Sequence, residues 1–295
     1  MPIVWKAGAH EAAAGLATGG SRKRTLFPVL FNIGNIPVDT YYVVWLAALS
    51  LALRWCVRRL VLYGVDEDEG RRVIAWGFIG MIFGAYLDYY IWDFMTFWND
   101  PSLVFDLSKG GVSEKGAIWG ALVTTLILCK RGKKISFFKL CEAVVPPGFF
   151  AIALGRWGCF FAGCCTGIES AIPWGFHFPY DVPYVSRHAT QLYYSLSAVL
   201  ILLSLLFVER RSLRRSGQLP PRPLLTPLGL VLYSIMRISV DPLRLNHESL
   251  LPSNVVLAVM IPFAAVWFLT SWSAFRKTIT SPHSAGGNAH VEETD

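Results

Sequence analysis

Apolar residues in this chain run in long blocks separated by short polar stretches, and each block is about the length of a membrane span. A spanning helix needs roughly 20 mostly apolar residues. Blocks of that kind fall at about 38–62, 73–97, 112–129, 140–163, 189–208, 225–245 and 252–275. The pattern predicts an all-α polytopic integral membrane protein with about seven transmembrane helices.

The ends of the chain read differently. Ala7 to Gly20 is small and Gly/Ala-rich, Arg22-Lys23-Arg24 follows, and no stretch there has the length of a signal-peptide core. Residues 1–30 are expected to be a disordered tail, 31–276 the transmembrane domain, and 277–295 a polar, disordered C-terminal tail containing Gly286-Gly287-Asn288.

Composition supports lipid as the main solvent. Hydrophobic residues make up 54% of the 295 and charged residues only 16%, where a soluble domain usually carries about 25%. Aromatics reach 14%, with eleven Trp. The net charge of +7 could suggest nucleic acid, but its Lys and Arg lie in short blocks between apolar runs, the pattern of cytoplasmic loops. No nucleic-acid partner is expected.

Those blocks predict orientation. Arg58, Arg59, Arg71 and Arg72 follow the first span, and Lys130, Arg131, Lys133, Lys134 and Lys139 follow the third. Arg210, Arg211, Arg214, Arg215 and Arg222 follow the fifth. The other connections hold mainly Lys109, Arg187 and Arg244, and Arg22-Lys23-Arg24 is outvoted. The asymmetry predicts an outer N-terminus and a cytoplasmic C-terminus.

With that orientation, several charged or polar residues gather toward the outer ends of different spans: Tyr41, Lys115, Arg156, Arg237 and Asp241. A charge at the bilayer centre costs about 2.5–3.5 kcal/mol on the insertion scale, so a converging set marks a candidate functional site. Structural readings stay open. Lys115 and Glu114 could snorkel to the headgroups, and Arg237 with Asp241, spaced i, i+4, could simply pair. Arg156, between Leu154 and Trp157, is too deep to snorkel easily.

The densest motif is Gly155-Arg156-Trp157-Gly158-Cys159-Phe160-Phe161-Ala162-Gly163-Cys164-Cys165-Thr166-Gly167. Its four glycines permit close approach of backbone or headgroup, and its Arg offers a planar fork suited to phosphate. Cys-x4-Cys-Cys lacks the usual zinc spacing and has no His pair beside it, so neither metal nor cofactor is expected. A disulfide near the outer face and plain packing both remain open for these cysteines. Cys56, Cys129 and Cys141 lie toward the cytoplasmic side and should stay reduced. A second motif, Arg187-His188-Ala189-Thr190-Gln191-Leu192-Tyr193, brings an imidazole, an amide and a phenol within two helical turns. It could also be no more than a polar helix start with an interfacial Tyr. Paired, Pro-broken half-helices in two repeats, the mark of many transporters, are missing from the pattern.

At these motifs, over roughly residues 30–275, the sequence resembles the prolipoprotein diacylglyceryl transferases, bacterial inner-membrane enzymes. The anchors are the Tyr41 region, Gly110 to Gly120, the Gly155 to Gly167 signature, Arg187 to Tyr193, and Tyr233 to Arg244. The resemblance implies transfer of a diacylglyceryl group from phosphatidylglycerol to the lipobox cysteine thiol of a prolipoprotein signal peptide. Glycerol phosphate is released, membrane lipid surrounds the site, and catalysis faces the outer side. It places Arg156 on the signature arginine and Arg237 on a second essential arginine, both binding phosphate. Tyr41 falls on a first-helix tyrosine, and Asp241 where a Glu is usual. His188 is a further candidate for deprotonating the thiol, and Gly158, Gly167, Gln191 and Tyr193 are candidates for holding substrate. Lys115 stands where well-studied members carry a His, Cys159 and Cys164 replace an Asn and a Glu, and Tyr86 replaces an Arg. Two alternatives are an enzyme of the same fold with another acceptor, and an inactive phospholipid-binding scaffold.

Overall fold

The structure is a computed structural model. It describes residues 26–27, 29–34, 36–92, 98, 113–132, 135–178, 185–216, 223–245, 261–262, 264–273 and 276. Residues 1–25 of the expected N-terminal tail, the expected tail at 277–295, and half of the block at 252–275 lie outside the described residues.

Six helices occupy the first six apolar blocks. They are α1 (Thr40–Leu62), α2 (Glu67–Trp92), α3 (Glu114–Gly132), α4 (Phe137–Ala162), α5 (Thr190–Ser216) and α6 (Leu225–Val240). Residues 264–273, in the seventh block, are also helical. Among the described residues, four helices are long and apolar enough to cross a membrane: Thr40–Leu62, Glu67–Ile91, Phe137–Ala162 and Thr190–Arg214. Large apolar side chains such as Leu46, Phe83, Trp119, Phe207 and Ile238 point outward along the helices. An apolar exterior on that scale calls for lipid rather than water. The chain is an all-α membrane protein.

Among the described residues two short ribbons accompany the helices, and hydropathy does not predict them. Strands β1 (Val29–Ile33) and β2 (Ile36–Asp39) form a hairpin leading into α1, and β3 (Phe176–His177) pairs antiparallel with β4 (Ser186–Arg187) ahead of α5. Leu26, just before the hairpin, is buried with Phe160, Phe178 and Ala189.

Several helix boundaries differ from the apolar blocks. Helix α2 begins at Glu67 rather than 73. The Asp66 carboxylate accepts from the Asp68 and Glu69 amides, each at 3.1 Å, and caps the free N–H groups of the first turn. Arg71 and Arg72 are therefore helical and pair with Glu67 and Glu69. Helix α6 stops at Val240, short of the expected 245, and a 3₁₀ turn follows over Asp241–Leu243. Pro242 lacks the amide hydrogen that would continue the helix.

Helix α4 is the hub, packing against α1, α5 and α6, while α3 packs mainly on α2. The α2–α3 seam is made of Gly80 and Gly84 facing Gly116 and Gly120. A methyl on any of them would overlap the opposite helix, its backbone included. Small residues at such seams let helices approach closely in lipid, where burial of apolar area gives little drive to associate.

One end of the bundle is closed by a buried ionic cluster. Arg59, a loop charge by sequence, lies inside α1 with its guanidinium buried. It donates to Glu209 on α5 through both terminal nitrogens, at 2.8 and 2.7 Å, and its Nε donates to Ala143 O at 2.9 Å. Beside it the buried Glu142 carboxylate accepts from the amides of Leu224, Leu225 and Thr226 at 3.1, 2.9 and 2.7 Å. That carboxylate neutralises the positive end of α6. The charge of Arg59 is thus matched by two helices rather than by water.

Candidate active site

The opposite end gathers the start of α1, the end of α4, the start of α5 and the end of α6. Helix α4 closes on Gly163, whose φ of 69° lies in the left-handed region. The amides of Gly163 and Cys164 donate back to Phe160 O and Cys159 O, at 3.0 and 3.1 Å. Glycine takes that conformation without steric cost and lets the chain turn back over the helix end.

The returning segment is then threaded between two others. Gly167 N donates to His188 O at 2.9 Å, and His188 N donates to Ile168 O at 3.1 Å. On the other side Ile168 N donates to Leu243 O at 2.8 Å and Leu245 N to Thr166 O at 3.1 Å. A side chain at Gly167 would strike His188 and the Leu243 carbonyl, at 2.5 to 2.7 Å, which is why this slot takes only glycine. The start of α5 clamps the same loop: Gln191 Nε2 donates to Cys164 O at 2.6 Å and Thr190 Oγ1 to Cys165 O at 2.7 Å. Gln191, expected to hold substrate, is fully buried and holds the loop.

Within this frame the two deep arginines are joined through one side chain. The Arg156 guanidinium lies 4.5 Å over the Tyr194 ring. The Tyr194 hydroxyl donates a hydrogen bond to Asp241 Oδ1, and Asp241 Oδ2 receives Arg237 Nε at 2.7 Å. Asp241 and Tyr194 are buried, while Arg156 and Arg237 are half-buried. The i, i+4 pairing of Arg237 with Asp241, open in the sequence, is present, and it is part of a longer array. A cation over an aromatic face gains about 0.5–2 kcal/mol, more when desolvated. The carboxylate orients Tyr194 and offsets one of the two positive charges.

Tyr194 was missed by sequence reading, which chose Tyr193. Its face shows only once burial is known: Gln191, Tyr194, Ser195, Ala198, Ile201 and Leu205 are all buried, a 3–4 residue period facing α4. Tyr193 points elsewhere, to a small cluster in which its hydroxyl lies 3.2 Å from His188 Nδ1 and accepts from Trp174 Nε1 at 3.2 Å. His188 thus belongs with Tyr193 and Trp174. Arg187 is buried beside them and pairs with Glu169 at 3.5 Å.

Tyr41 stands at the start of α1, in electrostatic reach of Cys159, Cys164, Cys165 and Arg156. The close contact is made by Gly158: a methyl there would sit 3.2 Å from Tyr41 O. One turn deeper, Trp45 covers Gly155, where a methyl would meet the indole at 2.7 Å. The signature glycines therefore bring α1 against α4 beside Arg156. Lys115 is the second residue of α3, and its side chain lies outside the described set. Near it, Ser113 Oγ is hydrogen-bonded to Asp88 on α2.

These features define a class: a helical membrane protein with a polar, two-arginine site at one end of its bundle. Residues 28–271 match the family model described as prolipoprotein diacylglyceryl transferase. The chain is 29% identical over 248 residues to the phosphatidylglycerol–prolipoprotein diacylglyceryl transferase of Synechococcus elongatus, covering 82% of this chain and 84% of that one. Over 220 residues it is 30% identical to the protein of the same name from Clostridium tetani, covering 74% and 85%. It is likewise 29% identical over 229 residues to the one from Azotobacter vinelandii, covering 76% and 83%. The chain belongs to the prolipoprotein diacylglyceryl transferase family.

Proposed function

We propose that this protein transfers the diacylglyceryl group of phosphatidylglycerol to the thiol of a prolipoprotein cysteine within a lipobox. A carbon–sulfur bond forms at the glyceryl carbon. The carbon–oxygen bond to phosphate breaks, its electron pair leaving with glycerol phosphate, and the thiol proton passes to a base or to water. The observation that carries this reading is the Arg156–Tyr194–Asp241–Arg237 array. It holds two guanidinium groups in fixed orientation within an apolar bundle, where donors act more strongly on developing charge than in water.

In this reading Arg156 and Arg237 bind the phosphate and stabilise it as it leaves. Asp241 and Tyr194 position them. Tyr41 borders the same space, Gly158 and Gly167 let its walls pack closely, and Lys115 supplies a further cation or a base. His188, hydrogen-bonded with Tyr193, is the candidate to receive the thiol proton as the peptide enters beside Trp174. The array sits where the Lys and Arg asymmetry of the connections predicts the outer face of a bacterial cytoplasmic membrane. Seven spans with an outer N-terminus accommodate that arrangement. The names of the relatives give no support to a different acceptor or to an inactive scaffold.

The test is complementation of a bacterium depleted of its own diacylglyceryl transferase, paired with transfer from phosphatidylglycerol to a lipobox peptide by the purified protein. Growth and a lipidated thioether product are expected. Phospholipid binding with neither growth nor product would overturn the reading.

A further inference from the structure

The linear order of the three signature cysteines hides their arrangement in space. The sulfur atoms of Cys159, Cys164 and Cys165 all lie within 4.8 Å of one another. Cys159 is on the last turn of α4, and the left-handed Gly163 folds the chain back so that the next two thiols face it.

The cluster is held in place. Cys165 has a φ of 61°, in the left-handed region that a residue with a side chain seldom adopts. Conformations of this kind cost about 1–3 kcal/mol and persist where the surroundings enforce them. The enforcing groups are Thr190 and Gln191, both fully buried, which grip the carbonyls of Cys165 and Cys164. Cys159 is itself buried, and Cys164 and Cys165 are half-buried. The nearby guanidiniums of Arg244 and Arg156 add positive potential around Cys165.

We propose that Cys159, Cys164 and Cys165 form a three-thiolate binding site for a thiophilic d10 metal ion, Cu(I) or Zn(II). The donor chemistry selects the ion. Three sulfurs with no imidazole or carboxylate among the described members of the group suit a soft cation, and thiolates favour Cu(I) and Zn(II) over hard ions. Zinc–sulfur bonds are about 2.3 Å, so three sulfurs on one ion stand about 3.8–4.0 Å apart. The cluster has to tighten by about 1 Å at most. Binding exchanges the thiol protons for the ion and leaves a net negative unit, which Arg156 and Arg244 partly offset. The expectation of no metal rested on sequence spacing, which assumes ligands along one helix or ribbon. Here the helix end reverses the chain between the first ligand and the other two.

The experiment uses the full-length, reduced protein in detergent or nanodiscs. One arm titrates Zn(II) against a chromophoric chelator, with Co(II) as the spectroscopic stand-in. A second titrates Cu(I) anaerobically against a chromophoric Cu(I) chelator. One ion per chain is expected in at least one arm. For Zn(II), thiolate-to-Co(II) charge-transfer absorption should appear; for Cu(I), the ion should be retained against the chelator. C159S and C165S should bind at least 100-fold more weakly, while Ser at Cys56, Cys129 and Cys141 together should change nothing. The double variant C159N/C164E provides a second, oxygen-donor form and should fold yet fail to hold the ion. Thermal melting of every variant separates lost binding from lost fold. Binding that survives in folded C159S and C165S, or no binding tighter than the chelators in either arm, overturns the site. So does a disulfide among these three cysteines in protein alkylated directly from membranes.

Discussion

The hydroxyl of Tyr194 is hydrogen-bonded to the carboxylate of Asp241 across the α5–α6 interface, and the same tyrosine ring carries the Arg156 guanidinium 4.5 Å above it. One aromatic side chain thus sets the position of two cations that come from different helices. Tyr194→Phe keeps the ring beneath Arg156 and removes the hydrogen bond to a buried carboxylate, a contact worth about 1.5–3 kcal/mol. It is expected to lower kcat about tenfold, with a modest fall in melting temperature. Tyr194→Ala opens the core as well and should cost about 3–5 kcal/mol of stability. Lipid transfer to a lipobox peptide, read beside thermal melts, checks both.

The arginines themselves should show larger effects. Loss of one preorganised donor to a developing oxyanion typically costs about 10²–10³ in rate. Arg156→Ala and Arg237→Ala are each expected to fall by that factor while still inserting. Lys at either position keeps the charge without the fork and should recover only part of the rate. Arg210, exposed on α5 toward the opposite end, is the control, and Arg210→Ala should leave transfer within twofold. Near wild-type transfer by both Ala variants would remove the arginines from the reaction.

The buried ion pair at the opposite end makes a different prediction. Removing one partner leaves an uncompensated buried charge and costs about 3–5 kcal/mol, whereas replacing both by apolar residues is often close to neutral. Arg59→Met alone, or Glu209→Leu alone, should therefore melt well below the wild type. The double variant should regain most of the loss with little change in kcat. Melts of the detergent-solubilised variants decide it, and a double variant no better than its singles would contradict the pairing.

The α2–α3 seam can be tested by size. Gly84→Leu or Gly120→Leu places a side chain where the facing backbone already sits. Overpacking of this kind costs about 1–3 kcal/mol or more. The expected result is a reduced yield of folded protein, while Gly148→Ala on α4, with open space around it, should behave as wild type.

Sidedness is checked with a reporter active only outside the cytoplasm. Fusions after Ile172, at the site end, should be active, and fusions after Gly64 or Arg211, at the Arg59 end, should be silent. The reverse pattern would turn the proposed site toward the cytoplasm.

Much of this architecture is legible in the sequence because lipid imposes long apolar blocks, and the first six blocks are helices. Arg156, Arg237 and Asp241 were also recognisable, since charges inside such blocks stand out. What escaped was relational. Tyr194 is an ordinary tyrosine in an apolar run until the 191–194–195 face is seen to meet α4. Arg59 reads as one more loop cation because its partners, the Ala143 carbonyl and the Glu209 carboxylate, lie about 80 and 150 residues away along the chain. The three thiols carry no familiar spacing because a left-handed glycine, rather than helix periodicity, sets their geometry.

The threading of residues 166–168 between His188 and Leu243 also bears on how the protein is made. A nascent chain that has inserted α1 to α5 already contains Arg156 and Tyr194, but not Arg237 or Asp241. Its signature loop has one neighbour and lacks the other. Long-range closures of this sort come late, because the intervening chain must be ordered before the contact stabilises anything. The two-arginine array is therefore completed only when α6 and the turn after it have arrived. Until then the partly synthesised protein lacks the completed array.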